Sequence, residues 1–360
     1  MNNFIRPTVM EVDLNAFKHN INQIQDRVGS DIKLMPVVKA NAYGTYINTR
    51  IDVLNDFDIV AVAIVDEAVD LREYGYEKDI FILNQPYKEE IQRIIDNEIT
   101  IGICEAGFIK ELSKYDYKFK AHLEIDTGMG RTGIKSGEVE ELIENLPKNV
   151  IVEGIYTHFS SADFDDDYTK KQIEDFRVAV NKAKELIPDI KYIHASASDG
   201  LLFYPESNFN MVRPGIIMYG YSPLQEELGD IDLKPVAKLK SKITFLKTVE
   251  SGTSIGYGRK YITDKETKIA TIPIGYADGF RRAFSNNGRV LIDGKYAPIV
   301  GVVCMDSFMC DVTDIDCQVG DEVVIWDNEN IKLEELSKTC DTINYEIISS
   351  ISSRVPRVFI

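Results

Sequence analysis

Basic residues are scarce here relative to acidic ones: 41 Lys and Arg stand against 58 Asp and Glu, a net charge of -17 over 360 residues. No run of lysine or arginine is long enough to follow a phosphate backbone, which argues against a nucleic-acid partner. Cysteine is sparse and odd in number, and Cys104, Cys304, Cys310, Cys317 and Cys340 contain no C-x-x-C pair. Neither a disulfide framework nor a zinc site is suggested, so reduced, mostly buried thiols and no metal are expected. No stretch approaches 18 uninterrupted apolar residues, and the opening MNNFIRPTVM has no basic segment followed by a long apolar run. The expected setting is therefore the cytoplasm, without a membrane partner. Internal repeats, low-complexity tracts and Pro/Ser-rich linkers are missing as well.

What is present is a chain with 44% hydrophobic residues, long enough for two domains. From Val9 to Tyr219 short β-rich runs alternate with amphipathic stretches, the pattern of βα units around a parallel sheet. Leu14, Phe17, Ile21, Ile24 and Val28 keep a helical period behind Asp13, a candidate N-cap. Strands are predicted at IKLMPVV, DIVAVAI, DIFIL, ITIGI, FKAHLEI, VIVEGIY, IKYIHA and NMVRPGIIMYG, with helices over 87–96, 137–146 and 167–186. Eight such strands predict an α/β fold with an N-terminal (β/α)8 TIM-type barrel, an open doubly wound sheet being the runner-up. After about Leu233 the runs VAKLKSKITFLKTV, TKIATIPI, GRVLIDGKYAPIVGVVC and DEVVIW predict a C-terminal mostly-β domain with two short helices near 332 and 343. The expected division is 1–230 and 231–360. In barrels of this type chemistry gathers just after the strand ends.

Those positions carry reactive residues. VVKANAYG places Lys39 at the end of a buried strand, where desolvation lowers an ammonium pKa and frees the amine to attack a carbonyl. The competing reading is a snorkelling lysine at a barrel rim. Arg131 follows the glycine-rich TGMG run and offers paired donors to a carboxylate or phenolate, unless it merely caps the next helix. Ser198, four residues after the strand-ending His194, has a hydroxyl suited either to a phosphate oxygen or to capping a helix. In the second domain Tyr257 lies between Gly256 and Gly258, which leaves its hydroxyl accessible.

VVKANAYG resembles the pyridoxal 5'-phosphate (PLP) lysine motif of alanine racemases and of related fold-type III decarboxylases. EIDTGMGRTG, THFSSAD, HASASDG, NMVRPGIIMYG, SIGYGRKY, GYADGFRR, CMDS and NYEI resemble alanine racemase segments in the family's order, over nearly the whole chain. The resemblance implies a Schiff base on Lys39, with Tyr43 and Tyr345 on the cofactor phosphate together with the Gly215 and Ile216 amides. It places Arg131 against the cofactor O3' and the substrate carboxylate, His158 against the ring, and Arg213 against the pyridine nitrogen. A fixed cation there disfavours ring protonation and suppresses transamination. Tyr257 becomes the second catalytic base, donated across a homodimer, since racemisation needs a base on each face. Tyr276 and Met305 are implied at the substrate entry and carboxylate, Asp306 as support for that loop, and Arg282 as the cation that activates Tyr257. The implied role is interconversion of L- and D-alanine, supplying D-alanine for peptidoglycan. Alternatives are a racemase of another amino acid such as serine, a decarboxylase, or a non-catalytic PLP protein.

Five positions depart from the family pattern. Thr45 and Tyr46 replace the usual HG after KANAYG, stiffening that loop. Glu124 stands where many members carry a lysine that becomes carbamylated, and is expected to supply Arg131 with a negative partner. Ala197 and Val302 replace asparagine and arginine, removing two polar contacts and pointing to a changed substrate preference.

Overall fold

The computed structural model describes residues 6–224, 228 and 230–360. By spatial contact the chain divides into two compact units. One comprises residues up to His19, Tyr43–Thr45 and Tyr219–Ile360; the other comprises Asn20–Ala42 and Tyr46–Met218. Strand β1 (Val9–Val12) belongs to the first of these, pairing antiparallel with β10 (Ala237–Lys242) and parallel with β19 (Arg357–Phe359). The division expected at 230 differs from this one because such long-range pairing leaves no local mark in the chain. The helix Leu14–Val28 starts where expected, with Asp13 Oδ1 accepting the Asn15 and Ala16 amides at 2.8 and 3.0 Å.

The barrel unit holds β2 (Lys33–Leu34), β3 (Ile59–Val62), β4 (Asp79–Ile82), β5 (Thr100–Ile103), β6 (Phe119–Glu124), β7 (Val150–Tyr156), β8 (Tyr192–His194) and β9 (Met211–Val212). All pairings are parallel, in the order β2-β9-β8-β7-β6-β5-β4-β3. A Val37–Ala61 bridge joins the two ends of that row, with Val38 N–H donating to Ala61 O at 2.9 Å and Ala61 N–H to Pro36 O at 2.8 Å. The ring is therefore closed, and the open-sheet alternative falls. Each predicted run contributes one strand, but NMVRPGIIMYG yields only Met211–Val212 before a loop and the 3-10 turn Ile216–Tyr219. Helices Ile91–Asp96 and Val139–Glu144 fall within the predicted spans, and Asp166–Leu186, capped by Asp165, begins one residue before its own. Val65–Glu73 and Ala106–Leu112 are additional.

Strands buried on both faces should read as unbroken apolar runs. The exceptions, His122, Glu124, Tyr156 and His194, form a polar layer inside the barrel unit. Glycines make room for it: a Cβ on Gly154 would lie 2.7 Å from the His122 ring, and one on Gly102 would lie 2.7 Å from the Tyr156 hydroxyl.

The other unit continues with β11 (Phe245–Val249), β12 (Ser254–Ile255), β13 (Tyr261–Ile262), β14 (Thr267–Ile272), β15 (Arg289–Ile292), β16 (Lys295–Pro298), β17 (Phe308–Asp311) and β18 (Glu322–Trp326). A six-stranded sheet runs β16-β15-β18-β10-β1-β19, and β11-β14-β17 form a second sheet. Helices Leu333–Thr339 and Asn344–Ser349 sit where the two short patterns were read. Among the described residues no helix is long and apolar enough to cross a membrane.

Candidate active site

Lys39 follows the closing bridge and opens a turn in which Ala40, Asn41, Ala42 and Tyr43 all have φ between 52 and 55°. None is glycine, and each costs roughly 1–2 kcal/mol in that left-handed region, a strain of the kind that collects at functional sites. Tyr46, at φ 61°, shares it. The Lys39 amine is pushed below its ordinary pKa, first by burial and then by the nearby charges of Arg131 and Arg213, with Glu67 opposing. A neutral amine is the form that attacks a carbonyl.

Arg213 is 2% exposed. Its Nη1 donates to His194 Nδ1 at 2.8 Å and His194 O at 2.9 Å; its Nη2 donates to Thr157 O at 2.7 Å, Ala195 O at 2.9 Å and His158 Nδ1 at 3.3 Å. Burial lowers its pKa to about 10, so it stays charged near neutral pH, held by carbonyl dipoles rather than by a carboxylate. Among the described residues Nε is the guanidinium nitrogen without a partner. Because a guanidinium only donates, His194 must accept at Nδ1 and carry its hydrogen on Nε2. That hydrogen goes to His122 Nδ1 at 2.9 Å. Burial and the Arg213 charge depress His122 and His158 to about 3 and His194 well below its ordinary value. All three rings are neutral near pH 7. One cation thus fixes two tautomers in series, a network that no local sequence pattern reveals. Polar residues alternating within FKAHLEI were the available signal for His122.

Gly215 N–H donates to Ser198 Oγ at 3.0 Å, leaving the hydroxyl hydrogen free for another acceptor. Ile216 follows at the start of its 3-10 turn. Arg131 lies exposed beyond a loop in which Asp126 Oδ1 accepts the Gly128 and Gly130 amides, each at 3.0 Å. The expected Glu124–Arg131 pair is not formed. Glu124 instead accepts from Thr132 Oγ1 at 2.8 Å, Tyr156 OH at 3.0 Å and Cys104 Sγ at 3.0 Å. The reason is reach: Glu124 ends a buried strand with three neutral donors around it, while Arg131 projects toward solvent. Lys39, Arg131, His158, Ser198, Arg213, Gly215 and Ile216 all belong to the barrel unit.

The remaining candidates belong to the other unit. Tyr43 packs against Tyr219 with ring centroids 4.8 Å apart and against Tyr345 at 6.0 Å. Tyr257, Tyr276 and Met305 are 71, 43 and 52% exposed, unusually open for large apolar side chains. Asp306 pairs with Arg354 at 2.6 Å. Arg282 forms neither an ion pair nor a hydrogen bond with Tyr257 among the described residues.

Residues 12–223 match the alanine racemase N-terminal domain and residues 236–359 the alanine racemase C-terminal domain. The chain belongs to the alanine racemase family. An alanine racemase of Halothermothrix orenii is 40% identical over 367 residues, covering 98% of this chain and 97% of the relative. One from Methanococcus maripaludis is also 40% identical, over 98% of this chain and 99% of its own. Among solved structures, the alanine racemase of Clostridium difficile 630 superposes with a TM-score of 0.95 at 37% identity, covering 99% of this chain and 97% of that one. The alanine racemase from E. faecalis gives 0.93 at 32% identity, covering 99% of each chain. Membership in the alanine racemase family separates this chain from the decarboxylases that share the lysine motif.

Proposed function

We propose that this chain is a PLP-dependent racemase interconverting L- and D-alanine, acting in the cytoplasm as a homodimer and supplying D-alanine for peptidoglycan. The observation that carries the proposal is that one unit holds both a half-buried amine at Lys39 and a buried Arg213 whose guanidinium is fixed by backbone carbonyls and histidine rings.

The residues present fit the cofactor. Lys39 supplies the amine, Arg213 keeps its Nε–H free to face a ring nitrogen, and the Ser198 hydroxyl and the Gly215 and Ile216 segment suit a phosphate, with Tyr43 and Tyr345 as further phosphate contacts. Bound there, PLP would supply an aldehyde for amine exchange and an electron sink that acidifies the substrate Cα–H. Arg213 would act by not releasing its proton: its neighbours are neutral acceptors, so a ring nitrogen set against it would stay unprotonated. His158 remains a neutral ring alongside. Arg131, which has no ion-pair or hydrogen-bond partner among the described residues, is available to hold the substrate carboxylate by paired donors. The Lys39 amine takes or returns the Cα proton on one face, and the Tyr257 hydroxyl of a second copy does so on the other. Tyr276 and Met305 would line the substrate side from that copy.

Following L- and D-alanine in deuterated water by NMR and chiral analysis tests the proposal. Cα exchange with inversion supports it. Exchange or inversion with serine alone would move the substrate, and cofactor binding without exchange on any amino acid would overturn it.

A further inference from the structure

The strained turn after Lys39 is held by a carboxylate that lies outside the lysine motif. Glu67, in the first turn of the helix Val65–Glu73, accepts the Ala40 N–H on Oε1 at 2.6 Å. Its Oε2 accepts the Ala63 N–H at 2.8 Å and the Ile64 N–H at 3.4 Å. A glutamate reaching back to the residue before its own helix is an ordinary capping arrangement. Here that contact is the longest of the three, and the shortest runs to a residue 27 positions away. One carboxylate therefore ties the residue after Lys39 to the end of β3, the strand that closes the barrel through Val37–Ala61. Four successive left-handed residues persist only where their surroundings over-determine them. Within the turn Ala42 N–H donates to Val38 O at 2.9 Å and Tyr46 N–H to Asn41 O at 2.8 Å, which leaves Ala40 N–H to Glu67.

We propose that Glu67 is a positioning residue for Lys39: its carboxylate clamps the left-handed turn to β3 and so fixes the backbone from which the lysine side chain departs. The role in racemisation rests on Lys39 being the cofactor lysine; the clamp does not. The same negative charge favours a proton on whatever nitrogen Lys39 presents, against burial and the charges of Arg131 and Arg213.

The test uses the full-length protein with and without PLP, as wild type, Glu67→Gln, Glu67→Ala and Asp66→Asn. Asp66 occupies the same helical turn but pairs with Arg93 at 2.6 Å, so its variant removes an acid and spares the clamp. Glu67→Gln preserves size and serves where Glu67→Ala does not fold. Without cofactor, amide hydrogen exchange over residues 39–43 is expected to accelerate at least about tenfold in the Glu67 variants and to stay unchanged in Asp66→Asn. Exchange in the helix Asp166–Leu186 should match wild type in all of them. With cofactor, the pH midpoint of the bound chromophore's absorbance should move lower in Glu67→Gln, because an anion favouring the protonated form is gone. Unchanged exchange over 39–43 in the Glu67 variants, or equal acceleration in Asp66→Asn, would overturn the clamp. Wild-type protein that takes up no PLP on Lys39 would overturn the racemase reading instead, leaving the cofactor-free exchange result to decide on Glu67.

Discussion

In the barrel unit the chemistry-bearing side chains are enclosed: Arg213 is 2% exposed, and His122 and His194 are fully buried. In the other unit Tyr257, Met305 and Tyr276 are 71, 52 and 43% exposed. Enclosure is what allows Arg213 to dictate two histidine tautomers and to keep three rings neutral, since low local dielectric strengthens every such contact. An exposed tyrosine or methionine has no comparable surroundings, so its hydroxyl or thioether meets solvent instead of a fixed set of partners. The contrast teaches that one unit is preorganised by its own packing, whereas the other leaves Tyr257, Tyr276 and Met305 open at its surface.

The sharpest way to break this contrast is to remove one group from each side. Lys39→Ala is expected to abolish racemisation by more than about 10⁴-fold, read by chiral analysis, because attachment and one base are lost together. Tyr257→Phe should lower the rate by about 10²–10⁴-fold. Its denaturant midpoint should barely change, since an exposed hydroxyl is removed. Full activity in Tyr257→Phe would remove the exposed face from the chemistry.

Acid should separate the two units without any mutation. Histidines whose native pKa lies below the unfolded value of about 6.5 stabilise the fold above that pH, and the stabilisation is lost as pH falls toward the native value. His122 and His158, depressed to about 3, and His194, held well below its ordinary value, all belong to the barrel unit. Asp199, pushed up to about 6 by burial, contributes with the opposite sign and offsets about one histidine. The net loss for the barrel unit between pH 6.5 and 5 is on the order of 3 kcal/mol. The other unit contains His19 as its one histidine. Hydrogen exchange mapped by unit at the two pH values should therefore rise in the barrel first; a uniform rise would contradict the neutral-ring network. The smallest expected effect is at exposed Ala40, whose φ of 53° is left-handed. Ala40→Gly should alter stability by no more than about 1 kcal/mol in a urea titration, relief of strain being opposed by unfolded-state entropy.

The eight parallel strands were legible because each is a short apolar run bounded by turn residues, and the helix Leu14–Val28 was legible from its period and Asp13. The candidate residues of the barrel unit were legible too, by resemblance, since they sit where strands end. Other features left no local trace. Glu67 looks like any acidic residue in a first helical turn, and its bond to Ala40 spans 27 positions. Glu124 invited pairing with Arg131 seven residues on, yet Thr132, Tyr156 and Cys104 are its partners.

Composition and periodicity by themselves determined the barrel and the β-rich second half, because each is written in spacing that the chain carries along its length; the family came from the resemblance of its motifs. Only the tertiary structure decided that the ring closes at Val37–Ala61, that β1 joins the sheet of the later unit, and that Arg213 orders His194 and His122. Those depend on which distant residues share a low-dielectric interior, and hydrogen-bond partners there are chosen by position in space rather than by distance along the chain.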